Sequence, residues 1–457
     1  MKNKYNFYCI ALIAFMSLMF AQMALAAADS PLSEPTATSP GQTVSKVTTT
    51  GGDVNQARVM TLNQCIDTAL KNNPSIRASM FGVEVNQSRV GEARSGYYPQ
   101  LSASGSYARV HPQPNTVVFN TAAEFDQYLA GFTLNQTILD FGKTSQQVDI
   151  SKYNLESSRS DLNTTQDTII LSVKQAYYGV LQARRNRDVA ADVLKQFQLH
   201  LDQAKGFYDV GTKARIDVIK AEVDLSNAKL SLINAENALK IAWVTLSNVM
   251  GTTDAPEYAI EDNLSFQKYA ITSEEAMARA FENRSDLKSI VAKRQSAEAN
   301  ISFAQTGYYP VLSGFANYNW AGESTSTLAH YWNYGVQLTV PLFSGFLTQQ
   351  QTAEAKSNVY ILKANEDTLR QQIVLDVRQA YLNLQAAEAS IATAELAAAQ
   401  SKENLDLANG RYTAGVGSPI EVSDAFATYV TAQASYTSAL SNYKIAQATI
   451  EKSMGAR

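Results

Sequence analysis

The segment IVLDVRQAYLNLQAAEASIATAELAAAQSKENLDLA, residues 373–408, repeats small and apolar side chains in alternating steps of four and three. The repeating positions are Ile373, Val377, Ala380, Leu384, Ala387, Ile391, Ala394, Ala398, Ser401, Leu405 and Ala408. That spacing is the 3.5-residue period of a left-handed helical supercoil, and the many alanines imply closely packed partners. Around it, residues 346–409 contain neither glycine nor proline. An unbroken helix of that span is roughly 96 Å long at about 1.5 Å per residue. A helix that long exceeds the diameter of an ordinary globular domain, so it must find neighbours along its whole length.

A second stripe of the same kind runs through Ile169, Val173, Ala176, Val180, Ala183, Ala190, Leu194, Phe197, Leu201 and Ala204, interrupted at Arg187. The duplication extends well beyond the stripes. Lys71-Asn72-Asn73-Pro74-Ser75-Ile76-Arg77 parallels Glu282-Asn283-Arg284-Ser285-Asp286-Leu287-Lys288, and Gly96-Tyr97-Tyr98-Pro99 parallels Gly307-Tyr308-Tyr309-Pro310. Later, Val173-Lys174-Gln175-Ala176-Tyr177 parallels Val377-Arg378-Gln379-Ala380-Tyr381. Gly211 parallels Gly415, and Met250-Gly251 parallels Met454-Gly455. A unit near 200 residues is too long for a solenoid repeat, so one structural half has been duplicated.

Between the helices lie period-two runs. Leu312, Gly314, Ala316, Tyr318 and Trp320 alternate with Ser313, Phe315, Asn317 and Asn319, and the partner run alternates Trp332, Tyr334, Val336, Leu338 and Val340 with more polar residues. The first half repeats this at Leu101, Ala103, Gly105 and Tyr107, and at Tyr128, Ala130, Phe132 and Leu134. Strands of about ten residues with one apolar and one polar face, flanked by tyrosine and tryptophan, suit an outer-membrane barrel. Each half is therefore expected to run helix, two strands, long helix, helix. Two hairpins give four strands per chain, too few to close a barrel, so several copies must combine.

The remaining chain sets the context. Lys2, Lys4, an apolar stretch and Ala24-Leu25-Ala26 mark residues 1–26 as a signal peptide. Residues 27–58, rich in Ser, Thr, Pro and Gly, are expected to be a flexible leader. Removing the peptide with Cys9 leaves Cys65 as the one mature cysteine, which excludes an intrachain disulfide. A net charge of −4 gives no basic excess for nucleic acid. His111, His200 and His330 are scattered without metal-ligand spacing, and no nucleophile elbow or phosphate loop occurs, so neither an enzyme, a cofactor nor a metal site is expected.

The chain resembles the TolC family of outer-membrane efflux proteins. The resemblance lies in Tyr-Tyr-Pro before each first strand, Gly142 and Gly345 after each second strand, and Tyr208-Asp209-Val210-Gly211 echoed by Tyr412-Thr413-Ala414-Gly415. It implies a mainly α protein with a transmembrane β-barrel: a homotrimer whose twelve strands sit in outer-membrane lipid above a coiled-coil helical tunnel in the periplasm. It also implies a periplasmic adaptor and an inner-membrane efflux pump or ABC exporter as partners.

On this resemblance the first repeat is residues 59–251, with strands near 97–109 and 127–140 and tunnel helices near 143–206 and 214–250. The second is residues 272–457, with strands near 308–320 and 331–342 and helices near 346–409 and 418–454. Residues 252–271 are expected to form an equatorial linker, because the C-terminal extension of some members is expected to be missing after Gly455. Carried over from the family's tunnel tip, Asp217 and Tyr412 are a hydrogen-bonding gate pair and Glu421 and Asp424 are constriction carboxylates, with Glu421 in place of an aspartate. Gly417 stands where studied members carry a gate arginine. The rival reading is a trimeric coiled-coil surface adhesin or stalk, which would gather its membrane strands at one end of the chain.

Overall fold

The computed structural model describes residues 58–111, 124–252 and 258–456. The expected signal peptide, and all of the leader except Arg58, lie outside these residues. The first half comprises β1 (Arg58–Met60), α1 (Leu62–Asn72), α2 (Pro74–Arg94), β2 (Gln100–Val110), β3 (Phe125–Leu139), α3 (Lys143–Asp209) and α4 (Arg215–Met250). The second comprises β4 (Tyr258–Ile260), α5 (Ser273–Asn283), α6 (Ser285–Gln305), β5 (Val311–Gly322), β6 (Ala329–Thr339), α7 (Leu347–Thr413) and α8 (Pro419–Ser453).

The leading helix of each half is broken in two, which the expected order of elements did not include. In the first half Pro74 disfavours a helical Asn73, which sits at φ −65° and ψ 125° and caps α2 by accepting from the Ser75 amide. In the second half Arg284 makes the same break at φ −58° and ψ 123° without a proline. The duplication extends to element length: α1 and α5 each have 11 residues, α2 and α6 each 21, and α3 and α7 each 67. The expected strand starts near 97 and 308 are corrected. Ser95–Tyr97 and Thr306–Tyr308 coil into single 3-10 turns, so pairing begins three residues later.

The supercoil stripe is the core. Ile373, Val377, Ala380, Leu384, Ile391, Ala398, Ser401, Leu405 and Ala408 are all buried, and Ala387 and Ala394 pack against them. On α3, Tyr177, Tyr178 and Leu181 are buried beside the stripe as well, so this helix is covered on more than one face. The buried residues form two clusters. The larger joins mid-helix α3 and α7 to the far ends of α4 and α8 and to Cys65, Ile260 and Leu264. The smaller gathers where α3 turns into α4 and α7 into α8. Burial pushes the Cys65 thiol up to about 11, so it is protonated and unreactive at neutral pH.

The two halves lock together at the larger cluster. β1 and β4 pair in parallel, and the Tyr177 hydroxyl donates to the Glu261 carbonyl at 2.7 Å. Gly251 and Gly455 end α4 and α8 at φ +70° and +69°, and each lies against the helix break of its own half. A Cβ there would lie 2.8 Å from the Asn72 carbonyl or 2.9 Å from the Arg284 amide, so only glycine fits.

The four long strands form one antiparallel sheet in the order β2-β3-β5-β6, with each half contributing a hairpin. Register places Ala103, Phe132, Tyr318 and Trp332 in one row, with Leu101, Leu134, Ala316 and Tyr334 in the row beside it. One face is therefore apolar across all four strands. On the other, Ser104, Gly131, Asn319 and Tyr331 share a row. No described helix is long and apolar enough to cross a membrane.

Candidate functional site at the helical turns

Both long helices end in tight turns that converge on the smaller core. After α3, the Thr212 amide donates to the Phe207 carbonyl at 2.9 Å, and Gly211 takes φ +73°. After α7, the Val416 and Gly417 amides both donate to the Arg411 carbonyl, and Ser418 caps α8 by accepting from the Ile420 amide. Asp217 lies half-buried in the first turn of α4, Glu421 is exposed in the first turn of α8, and Asp424 is exposed on the next. Tyr412, next to the last residue of α7, is 1% exposed.

Asp217 and Tyr412 are neighbours by charge and not, within one chain, by hydrogen bond. Burial and then the Asp217 charge raise the Tyr412 pKa above its ordinary value. The hydroxyl nevertheless finds no hydrogen-bond partner among the described residues. Aromatic and cationic groups hold the ring instead. His200 lies 4.5 Å from it between centroids, Phe207 meets it edge-on at 5.9 Å, and the Lys213 ammonium lies 5.9 Å above it. In the same core Phe197 of α3 meets Phe426 of α8 with ring centroids 4.5 Å apart and the planes tilted by 41°.

The glycine at position 417, where the resemblance leads one to expect an arginine, has a spatial explanation. A Cβ on Gly417 would lie 2.7 Å from the Tyr412 amide nitrogen and 2.9 Å from the Arg411 carbonyl carbon, so this turn has no room for a side chain. A guanidinium arrives from six residues earlier. Arg411 Nε donates to Glu421 Oε2 at 3.4 Å, so one of the two carboxylates expected at the constriction is paired within its own chain. Both groups are largely exposed, so this pair contributes little to stability.

Three further residues of the site were not singled out from sequence. Arg411 offers no sequence signal apart from standing ten residues before an acid. Asp224 accepts a 2.5 Å hydrogen bond from the Ser423 hydroxyl and so ties α4 to α8. In the sequence His200 is one of three scattered histidines, although it sits beside the stripe residue Leu201, between Phe197 and Ala204. It is 4% exposed and neither ring nitrogen has a hydrogen-bond partner among the described residues. Each such buried polar atom costs about 1–3 kcal/mol. Burial lowers the His200 pKa below its ordinary value. Asp224 and Asp217 oppose that, and Lys220 adds to it. No group of three or more His, Cys, Asp or Glu among the described residues could hold a metal ion.

A duplicated pair of helical hairpins on about 100 Å helices, carrying a sheet that is apolar across one whole face, has the build of an outer-membrane transport protein. The chain belongs to the outer membrane efflux protein family, whose model matches residues 65–252 and 276–456. It is an outer-membrane protein of the efflux class. It is similar to the outer membrane protein TolC of Escherichia coli strain K12, with 24% identity, 86% of this chain covered and 82% of that one. It is similar also to TolC of Vibrio cholerae, with 23% identity and coverage of 86% and 90%. Among solved structures, the Campylobacter jejuni CmeC outer membrane channel has the same fold, with a TM-score of 0.74, 17% identity and coverage of 91% and 94%. The adhesin reading falls, because the strands are interleaved twice with the helices.

Proposed function

We propose that this chain is one third of a homotrimeric efflux or secretion duct, with twelve strands closed into a barrel in the outer membrane and the α3, α4, α7 and α8 helices forming a tunnel through the periplasm. The observation that carries this reading is the sheet. Among the described residues β2 and β6 each pair on one side only, and a bilayer does not tolerate such edges. Only further copies can satisfy them. A second unpartnered stripe on α7, at Ile361, Leu375, Leu382 and Leu396, keeps a seven-residue phase and fits a neighbouring helix. On α4 the exposed Ile216, Ile219, Val223, Leu230 and Ile233 follow similar steps.

In the trimer the turns after α3 and α7 close the periplasmic end, where cargo enters from an inner-membrane pump through a periplasmic adaptor. Asp217 and Tyr412 act there as gate residues. Glu421 and Asp424, in three copies, form an acidic constriction that favours cations. Arg411 tempers the Glu421 charge.

The test is single-channel recording of the purified protein in a planar bilayer. Small, discrete, cation-selective openings are expected, and neutralising Glu421→Gln with Asp424→Asn should cut cation-over-anion selectivity several-fold. A membrane-inserted oligomer that stays silent even after the turns are disrupted would overturn the duct.

A further inference from the structure

We propose that His200 is a gate residue: its neutral imidazole wedges Tyr412 in the closed tip, and protonation expels it and lets the tip open. This rests on reading the helical turns as the closed end of the duct.

The geometry comes first. His200 projects from α3 into the smaller core, 4% exposed, with its ring 4.5 Å from that of Tyr412 on α7 and inclined by 33°. Neither imidazole nitrogen nor the tyrosine hydroxyl has a hydrogen-bond partner among the described residues. A phenylalanine would pack in this buried position without any polar atom to desolvate, as Phe197 does three residues earlier. The titratable ring therefore brings a cost that packing does not explain. A neutral imidazole can bear that cost, whereas an imidazolium has two N–H donors and a full charge and cannot stay unpaired in such a site.

The groups around His200 determine where the charge goes. From α4 it faces Asp217, Lys220 and Asp224. From α8, Ser423 occupies one oxygen of Asp224, and from the turn before α4 the Lys213 ammonium lies over the Tyr412 ring. An imidazolium is drawn toward Asp217 and Asp224 and repelled by Lys220. Moving to Asp224 sets it in competition with Ser423 for the carboxylate, and so loosens the bond between the two halves. It also withdraws the ring that packs on Tyr412.

The direction of the pH effect follows. Burial holds the closed-state pKa of His200 below its ordinary value, so opening takes up a proton. The closed state keeps its full advantage above the ordinary histidine value of about 6.5 and loses it as pH falls below that value. The loss reaches about tenfold in the closed-to-open ratio per pH unit for each imidazole, until the closed-state value is reached.

The experiment records open probability of the full-length channel in a planar bilayer between pH 7.5 and pH 5. The natural protein is expected to open at least tenfold more at the acid end. His200→Phe is expected to stay closed and flat with pH. A conducting His200→Phe channel with the natural pH profile overturns the histidine while leaving the duct intact, whereas a trimer silent at every pH overturns the duct itself. Should His200→Phe fail to assemble, ring-nitrogen NMR of the natural protein labelled on its three histidines decides. His200 is expected to titrate below the ordinary histidine value, and an ordinary titration in a shut channel defeats the proposal.

Discussion

Tyr177 and Tyr443 in the larger core and Tyr412 at the turns are buried alike, at 0%, 0% and 1% exposure, yet their hydroxyls are treated differently. Tyr177 donates to the Glu261 carbonyl at 2.7 Å. Tyr443 donates to the Gln267 carbonyl at 2.9 Å and accepts from the Tyr269 amide at 2.8 Å. Both tyrosines strap the linker that joins the halves. The Tyr412 hydroxyl has no partner among the described residues. Charges divide the same way: mid-helix, Lys174 bridges to Glu451 at 2.6 Å and Arg284 is gripped by Asp286 and Asp376, whereas at the turns the Arg411–Glu421 pair is long and exposed. Satisfied contacts are concentrated in the middle of the fold, which is therefore the part expected to resist local opening most.

The largest effect should come from the middle. Arg284, with a side chain 8% exposed, donates to Asp286 at 2.7 Å and to Asp376 at 3.0 Å. Arg284→Ala strands two carboxylates and should destabilise by about 3–5 kcal/mol, read by denaturant unfolding of the solubilised protein. Burial pulls the Asp286 pKa up, but the bonds and charge of Arg284 outweigh it and leave the carboxyl below its ordinary value. Its contribution is therefore complete above the ordinary carboxylate range and disappears as pH falls through the lowered value. The variant should lose that acid limb. If stability falls by less than about 1 kcal/mol, the middle is not over-determined in the way the contacts imply.

A smaller effect is expected at Tyr177. Removing its hydroxyl in Tyr177→Phe should cost about 1 kcal/mol and leave the ring packing in place. Limited proteolysis should then cut the linker near Glu261 sooner than in the natural protein. Unchanged cleavage would mean that Tyr443 alone holds the strap.

Much of the middle was readable from sequence. The four-three stripe named the buried face of α7 almost residue for residue, because a supercoil leaves each position one environment. The double helix break was missed at Arg284 because no proline marks it there: the residue is held extended by tertiary ion pairs that no local pattern encodes. The same blindness affects the tip. Asp217, Tyr412, Glu421 and Asp424 could be placed by resemblance, but the Arg411 guanidinium that reaches Glu421 comes from across a turn. The Tyr412–His200 stack joins residues more than 200 positions apart on different halves. Such pairings depend on how two helices meet, and a single sequence carries no record of that.

The smallest expected effect is also the sharpest test of the contrast. Tyr412→Phe makes the same chemical change as Tyr177→Phe, but in a place where the hydroxyl gives up water and gains no bond. Deleting it should leave stability unchanged or raise it by up to about 1 kcal/mol, and the channel should stay closed at neutral pH because His200 and Phe207 still hold the ring. Opposite signs for one substitution at two equally buried sites would locate the rigidity in the middle by experiment. If Tyr412→Phe instead opens the channel, the hydroxyl must be bonded in the proposed trimer to a group that one chain does not supply. Asp217 of a neighbouring copy would then be the acceptor, and the latch would run between subunits and not within one.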